Sequence, residues 1–310
     1  MTGGATIRVA VIGCGAIGSL YAAHLARVDG VEVWCVDPWA EHVAAIETAG
    51  LRVTGLADFT AAVHARTTAD DLPDCHFGLV ATKAPHTRAA MAGARAALAD
   101  AAVVSLQNGL GNEEVIAEFA PRVIRGSIIT AGAVLAPGLV RYDAPGDSWF
   151  GPFEPRPAAT EEVERLARLL TDGGLTTHAL DDARGPQWTK VVFNSATSPL
   201  AALTGLPVGP VCTDAGLRRQ VDALIAEALA VCDKAGITLV RDPREAVEEA
   251  IAEAYQHKPS MLQDVLARRE TEIDALNGGI AAEGRRVGLP TPLHDCMVAL
   301  VKGLERAWGP

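Results

Sequence analysis

The first half of the chain alternates two periodicities. Short runs rich in β-branched residues ("TIRVAVIG", "VEVWCV", "HFGLVATK", "AAVVSLQNG", "RVIRGSIITAGAV") are separated by stretches with helical spacing, among them residues 16–28 and "AEHVAAIETAG", which closes at Gly50. Strands that are apolar along their whole length and alternate with helices predict a parallel sheet covered on both faces. The segment "APGLVRYDAPGDSWFGPFEPRP" changes character. Its Gly, Pro and Asp residues punctuate strand-like pieces and predict antiparallel strands or a loop. "EEVERLARLLTDGG" then reads as an amphipathic helix closed by glycines, and "LTTHAL" as a last strand.

Past about residue 183 no strand pattern survives. Helical spacing covers roughly 186–203, 213–235, 242–257, 260–287 and 292–307. The expected organisation is therefore an α/β domain over 1–182, joined near "DDARGP" to an all-α domain over 183–310. A length of 310 residues agrees with two domains, each large enough for its own core.

Composition then narrows the function by exclusion. A formal charge of -11 argues against a nucleic-acid or anionic-membrane surface, both of which need clustered Lys and Arg. No apolar run approaches the roughly 18 residues a transmembrane helix needs, and the N-terminal residues enter a strand without a basic-then-apolar leader. The six cysteines are scattered with no C-x-x-C pair, which predicts small buried hydrophobes in a reducing cytoplasm. The eight histidines show no H-x-x-x-H spacing, so no metal site is expected.

The strongest local motif is "VIGCGAIGSL", where Gly13-Cys14-Gly15-Ala16-Ile17-Gly18 follows a strand and opens a helix. Glycines there permit a tight turn, close approach of a pyrophosphate to the backbone, and close helix–sheet packing. The helix N-terminus supplies free N–H groups and positive dipole to the phosphates. The second strand ends at Asp37, nineteen residues beyond Gly18, where a carboxylate can accept from both hydroxyls of an adenosine ribose and would repel a 2′-phosphate. No arginine follows closely, and His42 is the nearest candidate cation, so NAD(H) is favoured over NADP(H). Ligands of open parallel sheets lie beyond the carboxyl ends of the strands. Lys83, Asn108, and Thr130 with Ala131 fall at such ends.

In the helical half, "WTKVVFNSATSP" sets Lys190, Asn194 and Ser198 four residues apart, on one helical face. A lone ammonium at the mouth of an apolar segment, backed by two neutral hydrogen-bonding groups, has the composition of a proton donor with substrate ligands behind it.

With these residues in order, the chain resembles the ketopantoate reductase family over nearly its whole length. The resemblance rests on the glycine motif, Lys83, "QNG" at 107–109, the K-x-x-x-N of Lys190 and Asn194, and "PSMLQDV…RRETEIDALNG" from 259 to 278. It implies a Rossmann domain followed by a helical domain, with the active site in the cleft between them. It implies an NAD(P)H-dependent reduction of 2-dehydropantoate to pantoate, in pantothenate biosynthesis. By position, Lys190 matches the general acid, and Glu272 the acidic residue near the nicotinamide ribose and the catalytic lysine. Asn194, Ser198 and Ser260 fall at substrate positions. Lys83, Asn108 and Ala131 fall at cofactor-contact positions, with Asn108 also facing substrate. The long helices of the second domain are candidates for a homodimer face.

Two departures qualify the substrate and the cofactor. Ser198 stands where the family usually carries a second asparagine, and Val208 where it carries a further one. A site that loses hydroxyl-binding groups no longer rejects analogues lacking the hydroxyl. The alternative expectation is therefore an NAD-dependent D-2-hydroxyacid dehydrogenase for a more apolar 2-keto acid. The Asp37-Pro38 pair, in place of a basic residue, leans the same way. A dinucleotide sensor without turnover is disfavoured, because it would have no use for Lys190 and Glu272.

Overall fold

The strand-helix alternation of the first half resolves into eight sheet strands and a smaller second sheet. The structure, a computed structural model, describes residues 6–308. The chain divides into two compact units, one reaching Gln107 and resuming over Asn112–Ala183, the other made of Asn108–Gly111 and the residues from Arg184 onward.

In the first unit β1 (Ile7–Ile12) leads through the glycine turn into α1 (Ala16–Leu25), then β2 (Val31–Val36) and α2 (Ala40–Ala49). Three short strands follow, β3 (Leu51–Gly55), β4 (Phe59–Ala61) and β5 (His64–Arg66). Next come β6 (Phe77–Val80), α3 (Thr87–Ala94), β7 (Ala102–Ser105), α4 (Asn112–Ala117) and β8 (Arg122–Ile128). The unit ends with β9 (Ala131–Ala136), β10 (Leu139–Ala144), β11 (Ser148–Pro152), α5 (Thr160–Asp172) and β12 (Thr177–Ala179).

The main sheet has the order β12-β11-β8-β7-β6-β1-β2-β5, all neighbours parallel except β11 against β8. β6 and β7 are buried at every position and β1 at its last four, the burial expected of strands covered on both faces. The strand order reverses direction of travel between β1 and β6, so the turn after β1 and the turn after β6 face each other at the carboxyl edge.

The second sheet, β4-β3-β10-β9, was not foreseen as a sheet of its own. The apolar run "RVIRGSIITAGAV", expected as one strand, splits: β8 stays in the main sheet and β9 pairs antiparallel with β10 in the small one. Periodicity cannot show such a break, because both halves read as strand; the partner strands decide which sheet each joins. The small sheet explains why α1 is buried on nearly every side. α1 packs against β9, β10 and β3 as well as β1 and β2, and the approach is close enough that a Cβ at Gly132 would sit 2.6 Å from Leu20 Cδ1.

The second unit is helical: α6 (Arg184–Thr204), α7 (Val208–Thr213), α8 (Ala215–Ala235), α9 (Pro243–Glu253), α10 (Ser260–Leu266), α11 (Asn277–Arg286) and α12 (Pro292–Arg306). Trp188, Val192, Leu224, Ile225 and Leu262 lie in its principal core. The helix expected over 260–287 is two helices, with residues 267–276 forming a connection between them. Arg268 adopts φ 50, a left-handed conformation that ends the helical run.

α6 runs on through Pro199, which has no N–H to give to the carbonyl four residues back, that of Ser195. The Asn277 Nδ2 donates to that carbonyl at 3.0 Å. The same amide nitrogen donates to His294 Nδ1 at 3.0 Å, and His294 Nε2 in turn donates to Leu224 O at 3.1 Å. A buried side-chain relay thus satisfies the group that proline leaves open.

Candidate active site

Two groups of predicted residues are brought together, one in each unit. In the first unit the glycine turn is built as the motif requires. Gly13 has φ +91, and a Cβ there would sit 2.7 Å from the Thr82 backbone nitrogen, in the turn after β6. A Cβ at Gly18 would lie 1.9 Å from Gly13 O, so the helix can pack this tightly only without a side chain. At Gly15, by contrast, a Cβ would meet nothing within 4 Å. Gly15 is the N-cap of α1, no side chain caps that end, and the first turn carries no acidic residue. An open face against an uncapped, ten-residue helix N-terminus fits a pyrophosphate.

Asp37, just past β2, does more than wait for a ribose. Its Oδ2 accepts from Cys14 N at 2.7 Å and its Oδ1 from Trp39 N at 2.9 Å. The carboxylate therefore locks the glycine turn to the end of the second strand while keeping lone pairs for further hydroxyl donors.

His42 is corrected by the structure. It is fully buried rather than a surface cation. Its Nδ1 accepts from Gly138 N at 3.0 Å, so Nε2 carries the proton and points at Ser19 Oγ, 3.3 Å away. Ser19 Oγ donates onward to Cys14 O at 2.8 Å. Burial lowers the His42 pKa, with Asp37 acting in the opposite sense, and the ring is neutral. The Cys14 thiol, close to Cys35 and buried, is pushed well above its ordinary value and is inert.

Lys83 lies at the turn after β6, caps a short 3-10 turn and is partly exposed. His86 is exposed. Thr130 Oγ1 donates to Gly146 O at 2.9 Å, which ties the start of β9 and hence Ala131 to the loop before β11. Gln107 had no assigned role in the sequence. Its Nε2 donates to Thr82 O at 2.8 Å and Thr87 Oγ1 at 2.6 Å, fastening the end of β7 to the turn after β6.

The second group lies in the helical unit. Lys190 Nζ on α6 donates to Asn108 Oδ1 at 2.7 Å, and Asn108 Nδ2 donates to Glu272 Oε2 at 3.4 Å. Asn108 thus bonds to both the ammonium and the carboxylate, rather than only marking a strand end. The turn holding it is fitted to the 267–276 connection. Gly109 has φ +89, a Cβ there would be 2.5 Å from Ala275 O, and Leu110 N donates to that oxygen at 2.7 Å. Gln187 Nε2 donates to Gly109 O at 3.3 Å, from one turn before Lys190.

Burial pushes the Lys190 ammonium down to about 8, against the Glu272 charge, which pulls it upward. Glu272 is itself only 6% exposed. An ammonium poised near neutrality beside a buried carboxylate can both donate a proton and stabilise a nascent oxyanion.

Asn194 is partly exposed one turn beyond Lys190, and Ser198 is buried a further turn on. Ser260 is exposed at the first position of α10. Val208 is 2% exposed within the principal helical core, and its backbone N donates to His257 O at 2.9 Å. Trp188 is likewise core. Arg269 bonds to the buried Asp264 carboxylate, Nε to Oδ1 at 3.2 Å. Five cysteines are buried and Cys296 is exposed, all as free thiols. No described helix is long and apolar enough to cross a membrane.

Comparison with known proteins finds relatives over nearly the whole chain. Residues 9–155 match the family described as "Ketopantoate reductase PanE/ApbA", and residues 182–305 match its C-terminal part. A 2-dehydropantoate 2-reductase of Pyrococcus horikoshii is 32% identical over 306 residues, covering 98% of this chain and 99% of that protein. The crystal structure of a PanE/ApbA family ketopantoate reductase from Ralstonia eutropha JMP134 superposes with a TM-score of 0.87 at 29% identity, covering 97% and 99% of the two chains. A D-mandelate dehydrogenase, solved with NADH and anilino(oxo)acetate, superposes with a TM-score of 0.85 at 25% identity, again covering 97% and 99%. With a glycine turn shaped for a dinucleotide and a buried lysine set against a carboxylate, the chain belongs to the ketopantoate reductase family of NAD(P)-dependent oxidoreductases acting on CH–OH groups.

Proposed function

We propose that this protein reduces a 2-keto acid to the corresponding 2-hydroxy acid, with 2-dehydropantoate as the first substrate to test and NADH as the favoured reductant. The Lys190–Asn108–Glu272 arrangement carries the reading. A bound dihydronicotinamide supplies the hydride; the residues of this chain supply the rest.

Lys190 Nζ protonates the alkoxide oxygen that forms at the ketone carbon, and its charge stabilises that oxygen before the proton moves. Asn108 aims the ammonium through its amide oxygen and ties it to Glu272 through its amide nitrogen. Asn194 and Ser198 continue the same face of α6 and serve as substrate ligands, with Ser260 at the start of α10 a candidate for the carboxylate end. Gly13–Gly18 with Asp37, Lys83 and Ala131 would hold the dinucleotide.

Preference for NADH over NADPH is supported by two observations. Asp37 is anchored just past the second strand by Cys14 N and Trp39 N, a position from which a carboxylate would repel a 2′-phosphate, and His42 is neutral and buried, so it is not available to balance one. The free thiols suit a reducing cytoplasm, where this reaction is expected to run.

A second reading, an NAD-dependent D-2-hydroxyacid dehydrogenase for a more apolar keto acid, is favoured by Ser198 and by Val208, whose side chain lies in the apolar core. The likeness to a D-mandelate dehydrogenase supports it. The deciding experiment is a steady-state matrix of NADH and NADPH against 2-dehydropantoate, 2-ketoisovalerate and phenylglyoxylate. Highest kcat/KM with 2-dehydropantoate supports the first reading. Preference for the deoxy or aromatic acids with NADH supports the second, and no turnover with any of them removes both.

A further inference from the structure

The 267–276 connection carries Glu272 but has almost no regular structure of its own. Its backbone must therefore be held from outside, and three anchors do so. At the entry, Arg269 N donates to Asp264 O at 2.8 Å and its guanidinium bonds the Asp264 carboxylate, itself only 3% exposed. At the exit, Ala275 O accepts from Leu110 N. The middle anchor comes from α12, far along the chain.

Glu305 Oε1 accepts from both Thr271 N at 2.9 Å and Thr271 Oγ1 at 2.6 Å. Thr271 is 1% exposed and immediately precedes Glu272. The other Glu305 oxygen lies 3.3 Å from Lys302 Nζ, which is also 2.6 Å from Asp274 Oδ2 and 3.6 Å from Glu270 Oε1. One carboxylate thus fixes the residue before Glu272, and through Lys302 the residue two beyond it. Ile273 and Val301 share a small apolar cluster, so α12 also packs against the far side of the same segment.

Charge-assisted hydrogen bonds of this kind, made by one acceptor to a backbone N–H and a hydroxyl of one residue, restrict direction as well as distance. A clamp with no other purpose could hold the loop anywhere along its length. This one brackets Glu272 on both sides.

We propose that Glu305 is a positioning residue for the reaction: it holds the Glu272 carboxylate, by way of Thr271 and Lys302, in the Lys190–Asn108–Glu272 arrangement that keeps the lysine an effective acid. The inference rests on the functional reading above, in which Lys190 donates the proton and Glu272 raises its proton affinity.

The test compares Glu305→Ala, Glu305→Gln and Thr271→Val with the wild type, using Asp295→Asn as control. Asp295 is on the same helix, in an exposed pair with Arg285. Glu305→Ala should lower kcat by roughly 10–100-fold, the scale for misplacing a reacting group by about 1 Å, with a smaller change in the KM for keto acid. Its alkaline limb in the pH profile of kcat should move to lower pH, because a wandering Glu272 no longer supports the ammonium. Glu305→Gln retains an oxygen for Thr271 and should recover most of the loss; Asp295→Asn should match the wild type.

Wild-type kcat and an unmoved limb in folded Glu305→Ala would overturn the inference while leaving the function intact. Should that variant fail to fold, Thr271→Val, which removes the hydroxyl bond to Glu305, carries the comparison: kcat should fall and the limb move in the same directions, and wild-type behaviour there overturns it. A wild type that turns over no 2-keto acid removes the functional reading instead. The Lys190 titration, followed by NMR of 13C-labelled lysine and assigned with Lys190→Met, then reads the same downward shift without turnover, and its absence overturns the clamp.

Discussion

Lys190 and Asn108 are 82 positions apart in the chain and 2.7 Å apart in space, ammonium to amide oxygen. The amide faces one way only: its oxygen accepts a hydrogen bond from the lysine ammonium and its nitrogen donates to Glu272. Three segments with no sequence relationship, a four-residue turn, a long helix and an irregular connection, meet at one donor.

Two substitutions at Asn108 separate aim from charge. Asn108→Ala should lower kcat by roughly 10–100-fold through loss of aim. Asn108→Asp keeps the shape but adds a carboxylate beside Lys190, which raises the proton affinity of the amine. Steady-state kinetics of Asn108→Asp should show its alkaline limb at higher pH than the wild type, and an unmoved limb would argue that Asn108 does not face the acid.

The lysine itself gives the sharpest pH expectation. With its pKa brought down to about 8 by burial, kcat should fall as pH rises through that value and the acid is lost. Glu272 acts in the opposite direction, so Glu272→Gln should shift the limb to lower pH. Lys190→Ala should cost about 10²–10⁴-fold in kcat, the usual contribution of a positioned acid–base group. A flat profile between pH 7 and 10 would exclude Lys190 as the proton donor.

Cofactor choice turns on Asp37. Asp37→Ser removes the charge that repels a 2′-phosphate and two anchors of the glycine turn at once. The ratio of kcat/KM for NADH to that for NADPH should drop by roughly 10-fold or more, since hydrogen bonds to charged groups are worth about 1.5–3 kcal/mol. An unchanged ratio would place cofactor discrimination elsewhere.

For substrate choice, Ser198→Asn lengthens a polar side chain on the face of α6 shared with Lys190. It should raise kcat/KM for 2-dehydropantoate relative to 2-ketoisovalerate, because a hydroxyl gains a partner. Val208→Asn is a different matter. An amide placed in the helical core lacks a partner and should destabilise the fold by about 1–3 kcal/mol without improving selectivity. Thermal melts and the two kcat/KM ratios check both.

Stability should fall with acidity. His24, His42 and His294 all have pKa values lowered from 6.5, chiefly by burial. Above about 6.5 these rings are neutral in both folded and unfolded chains and contribute no pH dependence. Below it the unfolded chain takes up protons that the folded chain refuses, so folding stability declines until the lowered folded values are reached. The melting temperature should drop between pH 7 and 5, by roughly 2–4 °C for each kcal/mol lost. His294 contributes through a specific geometry, since a proton on Nδ1 would confront the Asn277 amide donor. His294→Gln should flatten part of that slope; an identical slope would mean the relay tolerates protonation.

How much of this could be read from the chain alone follows from the range of each interaction. Gly13 to Gly18, Asp37 and the helical face of Lys190, Asn194 and Ser198 are local patterns: glycine is demanded by backbone clashes within a few residues, and a face repeats every turn. The strand-helix alternation, with its apolar strands, likewise determined a parallel sheet, because covering both faces leaves no polar positions. What only the tertiary structure decided involves partners whose spacing carries no period. The run 122–134 carries one continuous strand-like pattern, yet it divides between two sheets according to which strands lie beside it. Residues 267–276 have helical composition, yet they are held out of a helix by Arg268 in a left-handed conformation and by bonds to Asp264, Leu110 and Glu305. His42 looks like a surface cation in sequence and is a neutral core residue, because Gly138, ninety-six positions away, donates to it. Residue type determined what chemistry was available; burial and distant hydrogen-bond partners determined which groups are charged and where they point.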